Sequence, residues 1–326
     1  MSTGVWDAGQ RPPEPAVGST DARSMQRKPF RHLLAAPWFY RLGFAAGQRI
    51  PAPVLFGVAD LLAAATHAIC RGQVGIVQAN LARLLPEASD RERARLARAI
   101  FRNYARYLVD YGRFRWAPRD GFDDVITALE GGEHLQAALK PGRGVILVTG
   151  HIGNWELGGV FFGHRGVKVN VVTLPDASRQ IDAIRAGYRG QYSIRTIVLD
   201  GSPFASVEMM TALRRGEMVA MLVDRWAGSE GVPATFLGGV HYLPRGPFAL
   251  SRSTGAPILP AFMVRDGASY RGIVGPPFVV EQDGFGPYAA RISRTLAGVI
   301  RRYPEQWYYF VPLARMIHET SVNHPG

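Results

Sequence analysis

His151 stands directly after an apolar run, GVILVTG (144–150), and Glu156 follows five positions later. On one continuous helix that spacing would put the two side chains on rather different faces. The histidine is therefore placed in a turn and the glutamate in the first helical turn after it. Gly150 and Gly153 permit the tight backbone between them. A carboxylate bonded to one imidazole nitrogen fixes the tautomer and steadies the imidazolium as it forms, and the other nitrogen can then take a proton from a hydroxyl. The N-terminus of the following helix can receive an oxyanion or a phosphate. Asn154, in the same turn, is placed among the residues that bind substrate.

Asp224 ends a second apolar run, EMVAMLVD (217–224), and Arg225, which follows it, is placed among the residues that bind substrate. An acid at the carboxyl end of a buried strand reaches the same crevice, where it orients His151 or neutralises Arg225. The plainer reading is an aspartate capping the next turn. Arg245 stands at the start of an expected helix, either meeting a phosphate or phosphopantetheine group or lying on the surface. Val160, Phe161 and Phe162 line an apolar pocket or simply pack a helix on a sheet. No G-x-S-x-G elbow, P-loop, H-E-x-x-H or strand-linked G-x-G-x-x-G occurs. With one cysteine and scattered histidines, no metal site is expected.

The elements that position these residues read as alternating strands and helices. GVILVTG, KVNVVTL (168–174), IRTIVLD (194–200), EMVAMLVD and PILPAFMV (257–264) are short apolar runs rich in β-branched residues, as buried strands are. Helical segments are expected near 154–164, 178–190, 203–215, 245–254 and 287–302. This is an α/β pattern: a mainly parallel central sheet flanked by helices. In such sheets ligands sit beyond the carboxyl ends of the strands, which is where His151 and Asp224 fall.

The organisation expected is a disordered tail over 1–27, an N-terminal helical membrane-associating region over 28–116, the α/β core over 117–315 and a flexible tail over 316–326. The tail at 1–27 is rich in proline and small residues and has no apolar core of the kind a secretory signal needs. PAPVLFGVADLLAAATHAIC (51–70) is nearly long enough to span a bilayer. Asp60 near its middle would be costly there, which favours a helix lying in the membrane interface or packed on the domain. Trp38, Phe39, Tyr40, Phe44 and Phe56 are suited to that interface. Residues 89–113 give the clearest helix: Ser89 and Glu92 form a capping box, and Leu96, Ile100, Tyr104, Leu108 and Tyr111 repeat at helical spacing.

Composition narrows the classes further. The 326 residues carry 38 Lys+Arg against 26 Asp+Glu, a net charge of +12, and only Lys28, Lys140 and Lys168 are lysines. Arginine binds phosphate and carboxylate as a bidentate fork, so an anionic membrane surface or an acidic substrate or carrier is implied. No recognised nucleic-acid motif accompanies the charge, and a nucleic-acid partner is not expected. Cys70 is the only cysteine and cannot form an internal disulfide, which suits a reducing compartment.

GHIGNWELGG (150–159), LVDRWAGSEGVPATFLGGVHYLPRGPFALSRSTGAPILP (222–260) and YPEQWYYF (303–310), in that order, resemble the lysophospholipid acyltransferase superfamily. VQANLARLLPEASDRERARLARAIFRNYARYLVD (77–110) is also similar to its bacterial lipid A late acyltransferase branch (lauroyl/myristoyl type), to which the mycobacterial phosphatidylinositol mannoside acyltransferases are related. The resemblance covers roughly residues 74–312. It implies that His151, the histidine of the family's His-four-residues-acid motif, is the general base, with Glu156 or Asp224 orienting it. It implies a hydroxyl or amine of a membrane glycolipid, most readily a lipid A-type one, attacking an acyl thioester on acyl carrier protein or coenzyme A. No cofactor is implied beyond that co-substrate. The Phe-Pro-Glu-Gly-type block of glycerol-phosphate acyltransferases is absent, which argues against simple lysophosphatidate acylation. The implied location is the cytoplasmic face of the bacterial inner membrane, peripheral or with one N-terminal anchor.

Overall fold

The computed structural model describes residues 43, 47, 49–114, 124–175, 179–225, 231–282, 284–313 and 317–318. The expected tail at 1–27 lies outside the described residues, as do Trp38, Phe39, Tyr40, Phe44 and all of 316–326 but 317–318.

Three helices come first: α1 (Ala52–Ile69), α2 (Arg71–Leu84) and α3 (Asp90–Phe114). The Ser89 hydroxyl accepts from the Glu92 backbone N–H at 3.2 Å, so the capping signal does start α3. Helix α1 is long and apolar enough to cross a membrane, with mean hydropathy 1.6. Its Asp60, however, receives a bidentate Arg106 from α3 at 2.6 and 2.8 Å. The acid that would be costly in lipid is thus paired, and α1 packs along α3. Val54, Val58, Leu61, Leu62 and Ile69 remain exposed on α1.

Next come β1 (Ile126–Glu130), α4 (Gly132–Leu139), β2 (Val145–Thr149), α5 (Trp155–His164), β3 (Val169–Thr173), α6 (Arg179–Gly190), β4 (Ile194–Val198), α7 (Phe204–Arg214) and β5 (Met218–Leu222). A hairpin of β6 (Gly231–Phe236) and β7 (Gly239–Pro244) leads to α8 (Gly246–Thr254), β8 (Ile258–Asp266), β9 (Ser269–Val274) and α9 (Gly286–Arg302). A short 3₁₀ turn (Pro304–Gln306) and β10 (Ile317–His318) complete the order.

The seven-stranded sheet runs β1-β9-β8-β2-β5-β3-β4. All its pairs are parallel except β8–β9. A three-stranded sheet, β10-β7-β6, lies apart from it. The chain runs β2, β3, β4 outward in one direction, then returns to insert β5 between β2 and β3 and to place β8 on the other side of β2. That reversal makes β2 the switch point where an open α/β sheet forms its ligand crevice. The five apolar runs read as strands do form them. Strands β1, β6, β7, β9 and β10 and helix α4 lie outside the segments expected from the sequence.

Candidate active site

The parallel register builds the site. Thr149 of β2 pairs with Leu222 of β5, so the residues two beyond each strand end, His151 and Asp224, leave the sheet side by side. His151 Nδ1 lies 2.7 Å from Asp224 Oδ1, and the His151 backbone N–H donates to Asp224 Oδ2 at 2.8 Å. Asp224 is buried to 1% side-chain exposure, whereas the imidazole keeps 23%. Two glycines allow this approach. A Cβ on Gly150 would sit 3.2 Å from the Asp224 carboxylate. Gly153 has φ +61°, and a Cβ there would lie 2.0 Å from the Met263 carbonyl oxygen.

The loop is clamped from outside as well. Tyr308 N–H donates to the His151 carbonyl at 2.8 Å and Gly153 N–H to the Gln306 carbonyl at 3.0 Å. Gln306 in turn grips β8, accepting from Arg265 N at 2.8 Å and donating to Arg265 O at 2.9 Å. Trp155 sets its ring edge-on to the imidazole at 5.5 Å. His241 of β7 approaches the Asp224 carbonyl oxygen at 3.0 Å through Nε2, holding the strand end from behind.

The electrostatics favour a neutral imidazole beside an ionised carboxylate. Burial pushes the His151 pKa below its ordinary 6.5, and Arg225 adds to that push against the opposing pull of Asp224. Burial works against ionising Asp224, but His151, its backbone N–H and Arg225 together bring the carboxyl below its usual value. An ionised carboxylate only accepts hydrogen bonds, so Nδ1 carries the proton and Nε2 presents its lone pair. That nitrogen can take a proton from a hydroxyl.

Of the two acids open in the sequence, the structure brings Asp224 to the imidazole. Glu156 sits in α5 with both oxygens held by Arg189 of α6, Oε1 by Nη2 at 2.5 Å and Oε2 by Nε at 3.0 Å. Both side chains of this pair are buried. Burial opposes ionisation of Glu156, but Arg189 outweighs it and holds the carboxyl below its usual range. Arg189 escaped the sequence reading because it lies 33 residues from Glu156 on another helix.

Asn154 was placed with the substrate-binding residues, yet it is 1% exposed. Its Oδ1 caps α5 by accepting from Leu157 N at 3.0 Å, and its Nδ2 donates to the Tyr270 hydroxyl at 3.3 Å. Both ends of the amide are engaged within the protein. Arg225 is half-buried beside the pair and donates through Nη2 to the Tyr308 carbonyl at 3.1 Å, with its guanidinium 4.9 Å from the Tyr309 ring centre. Arg245 is exposed at the start of α8, with its guanidinium 5.5 Å from the Phe285 ring centre. Phe161 and Phe162 are buried residues of α5. They line a narrow apolar slot of about 60 Å³ between α5 and the sheet, together with Thr149, Trp155, Gly158 and Met263. Among the described residues, no three His, Cys, Asp or Glu side chains gather as a metal-binding set.

An imidazole backed by a buried carboxylate, at the switch point of a mainly parallel sheet and beside an apolar slot, defines an α/β protein equipped for proton transfer at a hydroxyl. Comparison with known proteins gives the family. The model of the bacterial lipid A biosynthesis acyltransferases matches residues 24–315, and the chain belongs to that family and is an acyltransferase. It is 25% identical over 276 residues to a phosphatidylinositol mannoside acyltransferase of Mycolicibacterium smegmatis, covering 83% of this chain and 90% of that one. It is 26% identical to two enzymes of Escherichia coli, the lipid A biosynthesis palmitoleoyltransferase and lauroyltransferase. Each of those matches covers 80% of this chain and 85% of the relative.

Proposed function

We propose that the protein moves a fatty acyl chain from an acyl thioester to a hydroxyl of a membrane glycolipid, with His151 as general base and Asp224 as its orienting acid. The observation that carries this reading is the His151 Nδ1–Asp224 Oδ1 contact of 2.7 Å on a ring that keeps 23% exposure. In the reaction, Nε2 takes the acceptor's proton while its oxygen attacks the thioester carbonyl. The imidazolium so formed is steadied by Asp224, and returning the proton to the departing thiolate resets the pair. Thiolates of acyl carrier protein and of coenzyme A fit this step alike.

The slot beside the pair supports an apolar donor chain. Its present volume is well below the roughly 300–1,000 Å³ of ordinary small-molecule sites, so a chain threading past Phe161 and Phe162 must part α5 from the sheet. Gly158 and Gly159, which face the slot, leave the helix without bulk there. The net charge of +12 and the exposed apolar residues of α1 support action at the cytoplasmic face of an anionic membrane. Glu156, by contrast, is read as a structural acid that fixes α5 to α6.

For the acceptor, lipid A-type glycolipids are the first reading, following the family model. A phosphatidylinositol mannoside-type acceptor is the second, favoured by the slightly longer match to the mycobacterial relative. Mass spectrometry of envelope lipids from cells with and without the gene tests both. A glycolipid lacking one acyl chain in the deleted strain is expected and names the acceptor. An unchanged lipid profile, with no transfer by the purified protein, would refute the proposal.

A further inference from the structure

Beyond Asp224, three contacts that hold the turn carrying His151 are to main chain. The His151 carbonyl accepts from Tyr308 N, Gly153 N donates to the Gln306 carbonyl, and Asn154 N donates to the Met263 carbonyl at 2.7 Å. Replacing a side chain leaves such contacts in place. The Asn154 amide is different, because side chains from three other elements hold it. Its Nδ2 donates to the Tyr270 hydroxyl of β9 at 3.3 Å while its Oδ1 accepts from Leu157 N.

The hydrogen count at Tyr270 fixes each direction in this set. A hydroxyl has one proton and two lone pairs. The proton goes to Asp110 Oδ2 of α3. The lone pairs accept from Arg265 Nη2 of β8 at 2.8 Å and from Asn154 Nδ2. Arg265 Nη2 gives its other proton to the same Asp110 oxygen, which is therefore an acceptor. Arg113 Nη1 approaches the second carboxylate oxygen of Asp110 at 3.4 Å. Asp110 and Tyr270 are each 2% exposed, so a lost partner is not replaced from solvent. Turning the Asn154 amide over would set its oxygen against the Tyr270 oxygen, whose proton is committed, and its NH₂ against the Leu157 N–H. The amide thus has one orientation, and it is set from α3, outside the α/β core.

We propose that Tyr270, held by Asp110, is a positioning residue for the reaction. It fixes the Asn154 amide and so the start of α5, and with these the turn that presents His151 and the Trp155 ring set edge-on to it. The role rests on His151 acting as the base proposed above. Tyr270 touches neither the imidazole nor Asp224 and acts through Asn154 alone. Misplacing a reacting group by about 1 Å can cost about 10²-fold in rate. Releasing one link of the chain, with the main-chain contacts intact, is expected to cost about tenfold.

The test is a double-mutant cycle on the full chain, read as thiol release from palmitoyl-coenzyme A with the acceptor lipid that the envelope-lipid comparison names. Tyr270→Phe removes the hydroxyl and leaves Asp110 and Arg265 paired. It should lower kcat about tenfold, with the KM for palmitoyl-coenzyme A within about twofold of wild type. Asn154→Ser keeps a capping oxygen for Leu157 N but ends short of Tyr270, and should show the same loss. The double variant should fall no more than about twofold below either single one, because both break one link. A general loosening of β8 and β9 would lower kcat in either background, so losses that multiply in the double variant would overturn the positioning role. So would a wild-type kcat in either single variant, or a loss that appears in KM instead. His151→Gln run alongside separates the two readings. If it is inactive while Tyr270→Phe is unchanged, the positioning role alone fails; if it keeps the wild-type rate, the base assignment falls and the positioning role with it.

Discussion

Replacing Asp224 by asparagine keeps the shape of the site and removes its charge. In the native arrangement one carboxylate oxygen accepts from His151 Nδ1 at 2.7 Å and the other from the His151 backbone N–H at 2.8 Å. An asparagine has one acceptor oxygen and one NH₂. If the oxygen stays on the backbone N–H, the NH₂ faces Nδ1. The imidazole must then carry its proton on Nε2, where the acceptor hydroxyl needs a lone pair. If the amide turns over, the NH₂ faces the backbone N–H and the loop loses its anchor. Either way the base is removed or misplaced, and the imidazolium has no counter-charge. General-base catalysis contributes about 10²–10⁴-fold, or roughly 3–5 kcal/mol of barrier at 1.36 kcal/mol per decade. Asp224→Asn should therefore lower kcat by that factor with its melting temperature close to wild type. Any residual activity should show its acid limb at lower pH, because Asp224 is what pulls the His151 pKa upward. The assay is initial-rate thiol release from an acyl thioester in the presence of acceptor lipid, across a pH series. Retention of more than about a third of wild-type kcat would refute the reasoning.

Removing Arg225 as Arg225→Gln takes away a charge that depresses His151, so the acid limb of kcat/KM, expected below pH 6.5 in the wild type, should move to higher pH. Glu156→Gln leaves Arg189 buried without its counter-charge and should cost about 3 kcal/mol in denaturant unfolding without shifting that limb. The wild-type contribution of this pair is present above the ordinary glutamate pKa of 4.5, since Arg189 depresses Glu156 in the folded state, and unfolding experiments should show it lost as pH falls through the depressed value. Gly158→Leu narrows the slot and should lower kcat/KM for long-chain thioesters at least tenfold relative to short ones, measured by competition between the two donors.

Much of this was legible in the residues, for reasons that can be named. The core strands are buried on both faces, so their β-branched runs stand out, and the site residues fall at strand ends where ligands bind. Antiparallel elements were missed although local signals existed. β8 and β9 close around the two-residue turn Gly267-Ala268, with Asp266 opposite Ser269 and the leading glycine at φ +62°. Phe236 pairs with Gly239, so Leu237 and Gly238 form a two-residue turn with φ +46° and +82°. Leucine is a rare occupant of that conformation, and the hairpin is hidden accordingly. The choice between Glu156 and Asp224 was not legible at all. It depends on Arg189 capturing Glu156 and on the β2–β5 register, and both are long-range. Nor was the Asn154 cap distinguishable from a substrate contact, because the Tyr270 hydroxyl that takes its other end comes from β9.

In the proposed reaction the imidazole of His151 is the group that deprotonates the acceptor. Its most direct test is single-turnover acyl transfer by purified His151→Gln beside wild type, at matched protein stability and saturating donor. A loss of at least about a hundredfold in the transfer step is expected, with unchanged donor binding. Transfer at a near wild-type rate by the glutamine variant would contradict it.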